Sequence, residues 1–170
     1  VARSAEERGA SVDTLVLADL VDAPTAARDV VDRVKRCDAL IVGTGTVWSS
    51  PSSVMTRFLE VLTPHELDAA FLGKPCAAVV TMDSVGGVEV GSRLLVALNL
   101  MGFAIPPCAL VVLARNAHED DDVWSTRDLP ILVDNGLAAS ASARAQPAYR
   151  ACDVARGRAL DGDYPAVGPL

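Results

Sequence analysis

The sequence predicts an α/β domain in which a parallel sheet is covered by helices on both faces, a three-layer αβα sandwich. Two observations predict it. Apolar runs at Ser11–Leu17, Ala39–Val42, Cys76–Thr81 and Ala109–Leu113 alternate with stretches of helical apolar spacing, at intervals of about thirty residues, as repeated βα units do. The runs at 39–42 and 76–81 are unbroken, the pattern of strands buried on both faces rather than one.

The elements follow in order. Val1 to Gly9 reads as the end of a helix with Gly9 as its stop, and Ser11–Leu17 as a strand that alternates before turning apolar. Asp22-Ala23-Pro24-Thr25 breaks the chain, and Val30, Val31 and Val34 mark a short helix ending near Arg36. The stretch Ala39 to Leu62 reads as strand, loop and helix, with Gly43 to Ser50 as the loop and Ser50-Pro51 as the helix start. Val54, Met55, Phe58, Leu59 and Leu62 form that helix's inner face. Thr63-Pro64-His65-Glu66 has the form of a capping box, predicting a short helix to Phe71 before a turn at Leu72 to Pro75. The strand Cys76–Thr81 runs into Met82 to Gly87, and the next helix carries Val90, Leu94, Leu95, Leu98 and Met101 and stops at Gly102. Ile105-Pro106-Pro107 leads into the last strand, and Leu129, Leu132, Val133 and Leu137 mark a helix over roughly 128–144. Residues 1–145 are read as one domain and 146–170, rich in Gly, Pro and Ala, as a peripheral tail.

Composition narrows the function. The chain has 170 residues, enough for one domain with a real core. A net charge of −7 argues against a nucleic-acid groove, although backbone amides at helix starts still allow an anionic small ligand. No apolar run approaches membrane-spanning length, and the first residues lack a signal-peptide core, so a cytoplasmic location is expected. Cys37, Cys76, Cys108 and Cys152 stand at no metal or redox spacing and read as buried reduced thiols. No metal site is expected: His118 with Glu119 to Asp122 reads as a solvated acidic loop, His65 as a first-turn helix residue and Trp124 as packing at a helix start. Gly43-x-Gly45 is followed by Trp48 where a dinucleotide fingerprint needs Gly, and Met82 occupies the Gly position of a nucleophile elbow, so neither motif is present.

Two loops carry the functional signal. Gly43-Thr44-Gly45-Thr46-Val47-Trp48-Ser49-Ser50, with the helix after it, resembles the second flavin loop of the NAD(P)H-dependent FMN reductases, which are flavodoxin-like proteins. Gly73-Lys74-Pro75 to Thr81, followed by Asp83-Ser84-x-Gly86-Gly87, is similar to that family's next strand and third flavin loop, and Ile105-Pro106-Pro107 to its entry into the last strand. Gly45 stands where the family often has Pro and Val47 where it often has Tyr, which leaves Trp48 to supply an aromatic surface.

The resemblance implies a flavodoxin-like sandwich of strand order 2-1-3-4-5. It further implies that the first, central strand and its Ser-rich phosphate loop are missing from this sequence, so that the chain is an amino-terminally truncated form. FMN is the implied cofactor and NADPH or NADH the co-substrate, with hydride passing through flavin N5 to a quinone, free flavin or similar small acceptor. No catalytic side chain is required. Thr44, Gly45, Thr46, Val47, Trp48, Ser49 and Ser50 would line the ring system, with Asp83, Ser84, Gly86 and Gly87 at its pyrimidine edge. The glycines would let backbone come close to the ring, and the helix start after them would favour the charge of reduced flavin. A homodimer is expected. The alternatives are a flavodoxin-type electron carrier whose acidic surface docks a basic partner, and a flavin-free structural remnant of the fold.

Overall fold

Helical and extended stretches alternate in the folded chain as Ala2–Glu6 (α1), Pro24–Arg36 (α2), Leu40–Val47 (β1), Ser50–Pro51 (β2), Ser53–Leu62 (α3), Cys76–Met82 (β3), Gly87–Leu100 (α4), Leu110–Ala114 (β4) and Leu129–Ala143 (α5). The computed structural model describes residues 1–20, 24–114, 126–143 and 149. The acidic loop with His118, Trp124 and all of the 146–170 tail except Tyr149 lie outside the described residues.

The sheet order is β2-β1-β3-β4. β1 and β4 run parallel to β3 on either side of it, from Leu40 opposite Cys76 to Met82 opposite Ala114. β2 is a two-residue antiparallel return on the other side of β1, pairing Thr46 with Pro51 and Val47 with Ser50. Because β3 has a neighbour on each edge and helices on each face, its residues can all be apolar. Cys76, Ala78 and Val80 enter one core; Ala77 and Val79 enter the other.

The first core lies under α2, α3 and α4 and takes Val30, Val34, Met55, Phe58, Leu62, Val90, Leu94 and Leu98. The second lies under α1 and α5 and takes Ala5, Leu129, Leu132 and Val133 against Val111 and Leu113. Each fully buried side chain of this size contributes about 1.5 to 3 kcal/mol, so the apolar periodicity is what holds the three layers. This is the flavodoxin-like arrangement that the sequence predicts. α4 stops as expected, with Gly102 at φ +110° just beyond its end.

Five expectations are corrected. Ser11–Leu17 forms no strand: none of its backbone groups joins a ladder, and Leu17–Leu20 is a short 3₁₀ turn. It keeps the two-residue alternation that suggested a strand, with Val12 against the second core and Leu15 and Leu17 against the first. Side chains hold it: Arg33 bonds the Asp13 carboxylate and the Thr14 carbonyl.

Gly43 to Val47 is strand rather than loop, because Gly43, Thr44 and Gly45 pair with Val79, Val80 and Thr81. The next helix is accordingly capped by Ser52, whose Oγ accepts from the Met55 N–H at 3.4 Å, and not by Ser50. The capping box at Thr63 is not formed either. The Thr63 hydroxyl donates to the Leu59 carbonyl at 2.9 Å and Glu66 turns to an extended conformation, leaving a 3₁₀ turn over Thr63–His65. Finally, among the described cysteines Cys76 is buried, Cys37 is half-buried and Cys108 is exposed, while Cys152 lies outside the described residues.

Candidate functional site

Parallel strands end together, so the segments that leave β1 and β3 meet at one end of the sheet. Leaving β1, the chain reverses at once through Trp48 and Ser49, both in the left-handed region at φ 49° and 56°. A two-residue hairpin turn with positive φ at both positions normally takes Asn-Gly; with ordinary side chains each position costs about 1 to 2 kcal/mol. The turn also holds Trp48 98% exposed, with Val47 beside it in the open. Leaving β3, Asp83, Ser84 and Val85 are exposed, Gly86 is left-handed at φ +88°, and α4 begins at Gly87.

The two loops touch. A Cβ placed on Gly86 would lie 2.7 Å from the Ser49 Oγ and 2.9 Å from the Ser49 Cα, so Gly86 must be glycine for the hairpin turn to seat on it. Gly87 is buried; a Cβ there would strike Val112 and Met82, and its N–H donates to the Met82 sulfur at 3.3 Å. The closeness these glycines allow is taken up in this structure by Ser49, Val112 and Met82 of the chain itself.

Thr44 also turns inward. It is buried, its Oγ1 accepting from the Ser52 N–H and bonding the Ser52 Oγ, both at 3.1 Å. It positions the start of α3 rather than lining a surface. Thr46, Gly45 and Ser49 are half-buried and Ser50 is exposed. Sequence reading missed Ser52 and Met82, which fix the two loops from behind. Ser52 was legible as a hydroxyl three residues before Met55; nothing in the sequence marks Met82 as an acceptor.

Thr46 and Ser50 flank the exposed Trp48 in the chain, and Asp83 and Ser84 stand exposed just before α4, so the two touching loops together offer hydroxyl, carboxylate and aromatic groups. That donor set suits the polar edge and flat apolar face of an isoalloxazine ring. Neither loop brings a Lys or Arg toward a phosphate. Among the described residues, no group of three or more His, Cys, Asp or Glu is placed to hold a metal ion, and no helix is long and apolar enough to cross a membrane. Two clefts lie at the other end of the sheet, one lined by residues including Cys37, Lys74 and Ser140, the other by residues including Pro75, Ile105 and Tyr149.

Comparisons with known proteins bear on the family and the fold. The family profile of the NADPH-dependent FMN reductases matches residues 1–118. No curated protein matches the sequence. Among solved structures the chain is similar to RosB with a bound 8-demethyl-8-formylriboflavin-5'-phosphate intermediate, at 16% identity and TM-score 0.65, covering 85% of this chain and 63% of RosB. It is also similar to a flavodoxin from the domain Archaea, at 16% identity and TM-score 0.56 over 84% of this chain and 85% of that one. The flavoenzyme NAD(P)H:(acceptor) oxidoreductase FerB from Paracoccus denitrificans matches at 20% identity and TM-score 0.54, over 85% of each chain. These likenesses give the fold, and the profile gives the family: the chain belongs to the NADPH-dependent FMN reductases, and its fold is flavodoxin-like.

Proposed function

We propose that the protein passes hydride from NADH or NADPH through FMN to a quinone, free flavin or similar small acceptor, with the flavin ring seated against residues 45–50 and 83–86. The observation that carries this is the seating of the Trp48-Ser49 turn on Gly86. It unites the two strand-end loops into one surface and keeps an aromatic face open beside it. Bound FMN supplies the hydride chemistry at its N5. The chain's part is to bind and orient. Trp48 offers a stacking face, Thr46 and Ser50 offer hydroxyls, and Asp83 and Ser84 offer polar groups to the pyrimidine edge. The first amides of α4, which lack intrahelical partners, favour negative charge on the reduced ring. The printed name of FerB, an NAD(P)H:(acceptor) oxidoreductase, supports the same reading.

The reading includes a second copy of the chain. The outer side of α4 carries Val88, Val96 and Leu100, exposed by 64, 61 and 66%, on one face at multiples of four residues. A homodimer would cover that face, and the mass in solution reports it.

FMN titration followed by tryptophan fluorescence in a Trp124→Phe chain, where Trp48 alone reports, and then NADH and NADPH oxidation with quinone or free FMN, test the proposal. Quenching with turnover is the expected result. Gly86→Ala, which lifts the hairpin turn from its seat, weakens FMN binding about tenfold, or ~1.4 kcal/mol. Bound flavin without nicotinamide oxidation would make the protein an electron carrier instead, and no flavin uptake would overturn the reading altogether.

A further inference from the structure

At the end of the sheet away from both loops, Lys74 is half-buried in the turn before β3. Its ammonium donates to the carbonyls of Val34 and Lys35 in the last turn of α2, where a cation is favoured, and its Nζ stands 4.0 Å from the Cys37 sulfur. The Cys37 thiol itself donates to the Val34 carbonyl at 3.2 Å, which leaves the sulfur lone pairs facing outward from that bond. Burial pushes the lysine pKa down and the thiol pKa up, so desolvation favours the neutral form of each group. The cleft lined by Cys37, Asp38, Gly73, Lys74, Pro75 and Ser140 brings solvent and small solutes to the pair. Neither flavin loop contributes to this site.

We propose that Cys37 and Lys74 are a modification site: hydrogen peroxide closes them into a covalent N–O–S bridge joining the end of α2 to the turn before β3. The bridge balances with two peroxides. The thiol attacks the first, taking one oxygen as a sulfenic acid and releasing water. The Lys74 ammonium gives one proton to solvent and, as the free amine, bonds that oxygen, and the two hydrogens and two electrons lost in forming the N–O bond reduce the second peroxide to two waters. The amine and the thiol together give up four electrons, two to each peroxide, and three waters form in all. Both partners are already held to the same carbonyl of Val34, so closure needs movement of two side chains and no rearrangement of the backbone.

The test uses the full chain carrying Cys108→Ser and Cys152→Ser, so that only Cys37 and the buried Cys76 remain. After peroxide treatment, the intact mass rises by about 14 Da, one oxygen gained and two hydrogens lost. Peptide mapping then joins the segment containing Cys37 to the segment containing Lys74, and a thiol reductant restores the original mass. The bridged form melts a few degrees higher. Cys37→Ser and Lys74→Arg each abolish the shift, and the arginine keeps a cation at the end of α2, so its folding is preserved. An unchanged mass, whole oxygens added to Cys37 without a link, or a shift that survives in Lys74→Arg would each overturn the proposal.

Discussion

The two ends of the sheet are built on opposite principles. At the amino end the backbone is stitched across elements: Leu40 N–H to the Pro75 carbonyl, Cys76 N–H to Ala104, Ala104 N–H to Lys74 and Gly73 N–H to Gly102, all at 2.8 to 2.9 Å. Beside these bonds Phe71 and Phe103 stack with ring centroids 4.8 Å apart, both fully buried. At the carboxyl end Val47, Trp48, Ser50, Asp83, Ser84 and Val85 are exposed, and two consecutive non-glycine residues sit in left-handed conformations. The difference teaches where free energy is gained and where it is given up. Strain alone does not separate the ends, because Leu67 and Cys108 near the amino end are also left-handed, at φ 60° and 56°; what sets the carboxyl end apart is two such residues in succession holding Trp48 open to solvent.

The contrast can be broken from either side. Phe103→Ala has the largest expected effect, a loss of about 3 to 5 kcal/mol in denaturant unfolding, since it empties a buried aromatic pair. FMN affinity of the molecules that remain folded should be unchanged; a matching loss of affinity would show that the two ends are not separable. Ser49→Gly acts the other way, raising stability by about 1 kcal/mol because glycine adopts the left-handed conformation freely. A loss of stability would mean that Ser49 contributes more through its contact with Gly86 than the turn costs.

The smallest effect is on acid stability, and it belongs to the amino end. A hydrogen-bonded Lys35, 2.7 Å away, together with the Ala70 N–H, holds the Asp68 carboxyl below its ordinary value of 3.8. Because the folded value is the depressed one, this stabilisation is complete above the ordinary carboxylate range and is lost as pH falls through the folded value. Asp68→Asn should flatten the acid limb of the pH–stability curve by less than about 1 kcal/mol, as expected of a partly exposed pair.

How much of this was legible in the sequence depends on which force decides each element. β3 and α4 are decided by burial, so an unbroken apolar run and a helical apolar stripe ending at a glycine located both. β1 is decided partly by its neighbour. Gly43 to Thr46 carry no apolar signal and become strand only because Val79 to Thr81 present a ladder to them. The reverse holds for Ser11–Leu17, whose alternation is that of a strand but which has no ladder among the described residues.

The candidate loops were located correctly at one end of the sheet, since strand direction alone determines that. Their inner workings were not legible. Nothing in Trp48-Ser49 announces a two-residue hairpin that usually demands Asn-Gly, and the glycine requirement at Gly86 arises from Ser49, distant in sequence. The Thr63 capping box failed for a similar reason: the hydroxyl found the Leu59 carbonyl of the helix behind it before the amide ahead.

α4 touches both ends of this divided sheet. Its 14 residues make a strut about 21 Å long, tipped by Gly86 against Ser49 and footed by the Gly102 carbonyl on the Gly73 amide. A helix of this length holds a fixed spacing between its ends, so the seat of the hairpin on Gly86 and the bond at Gly73 are kept in register by a single element.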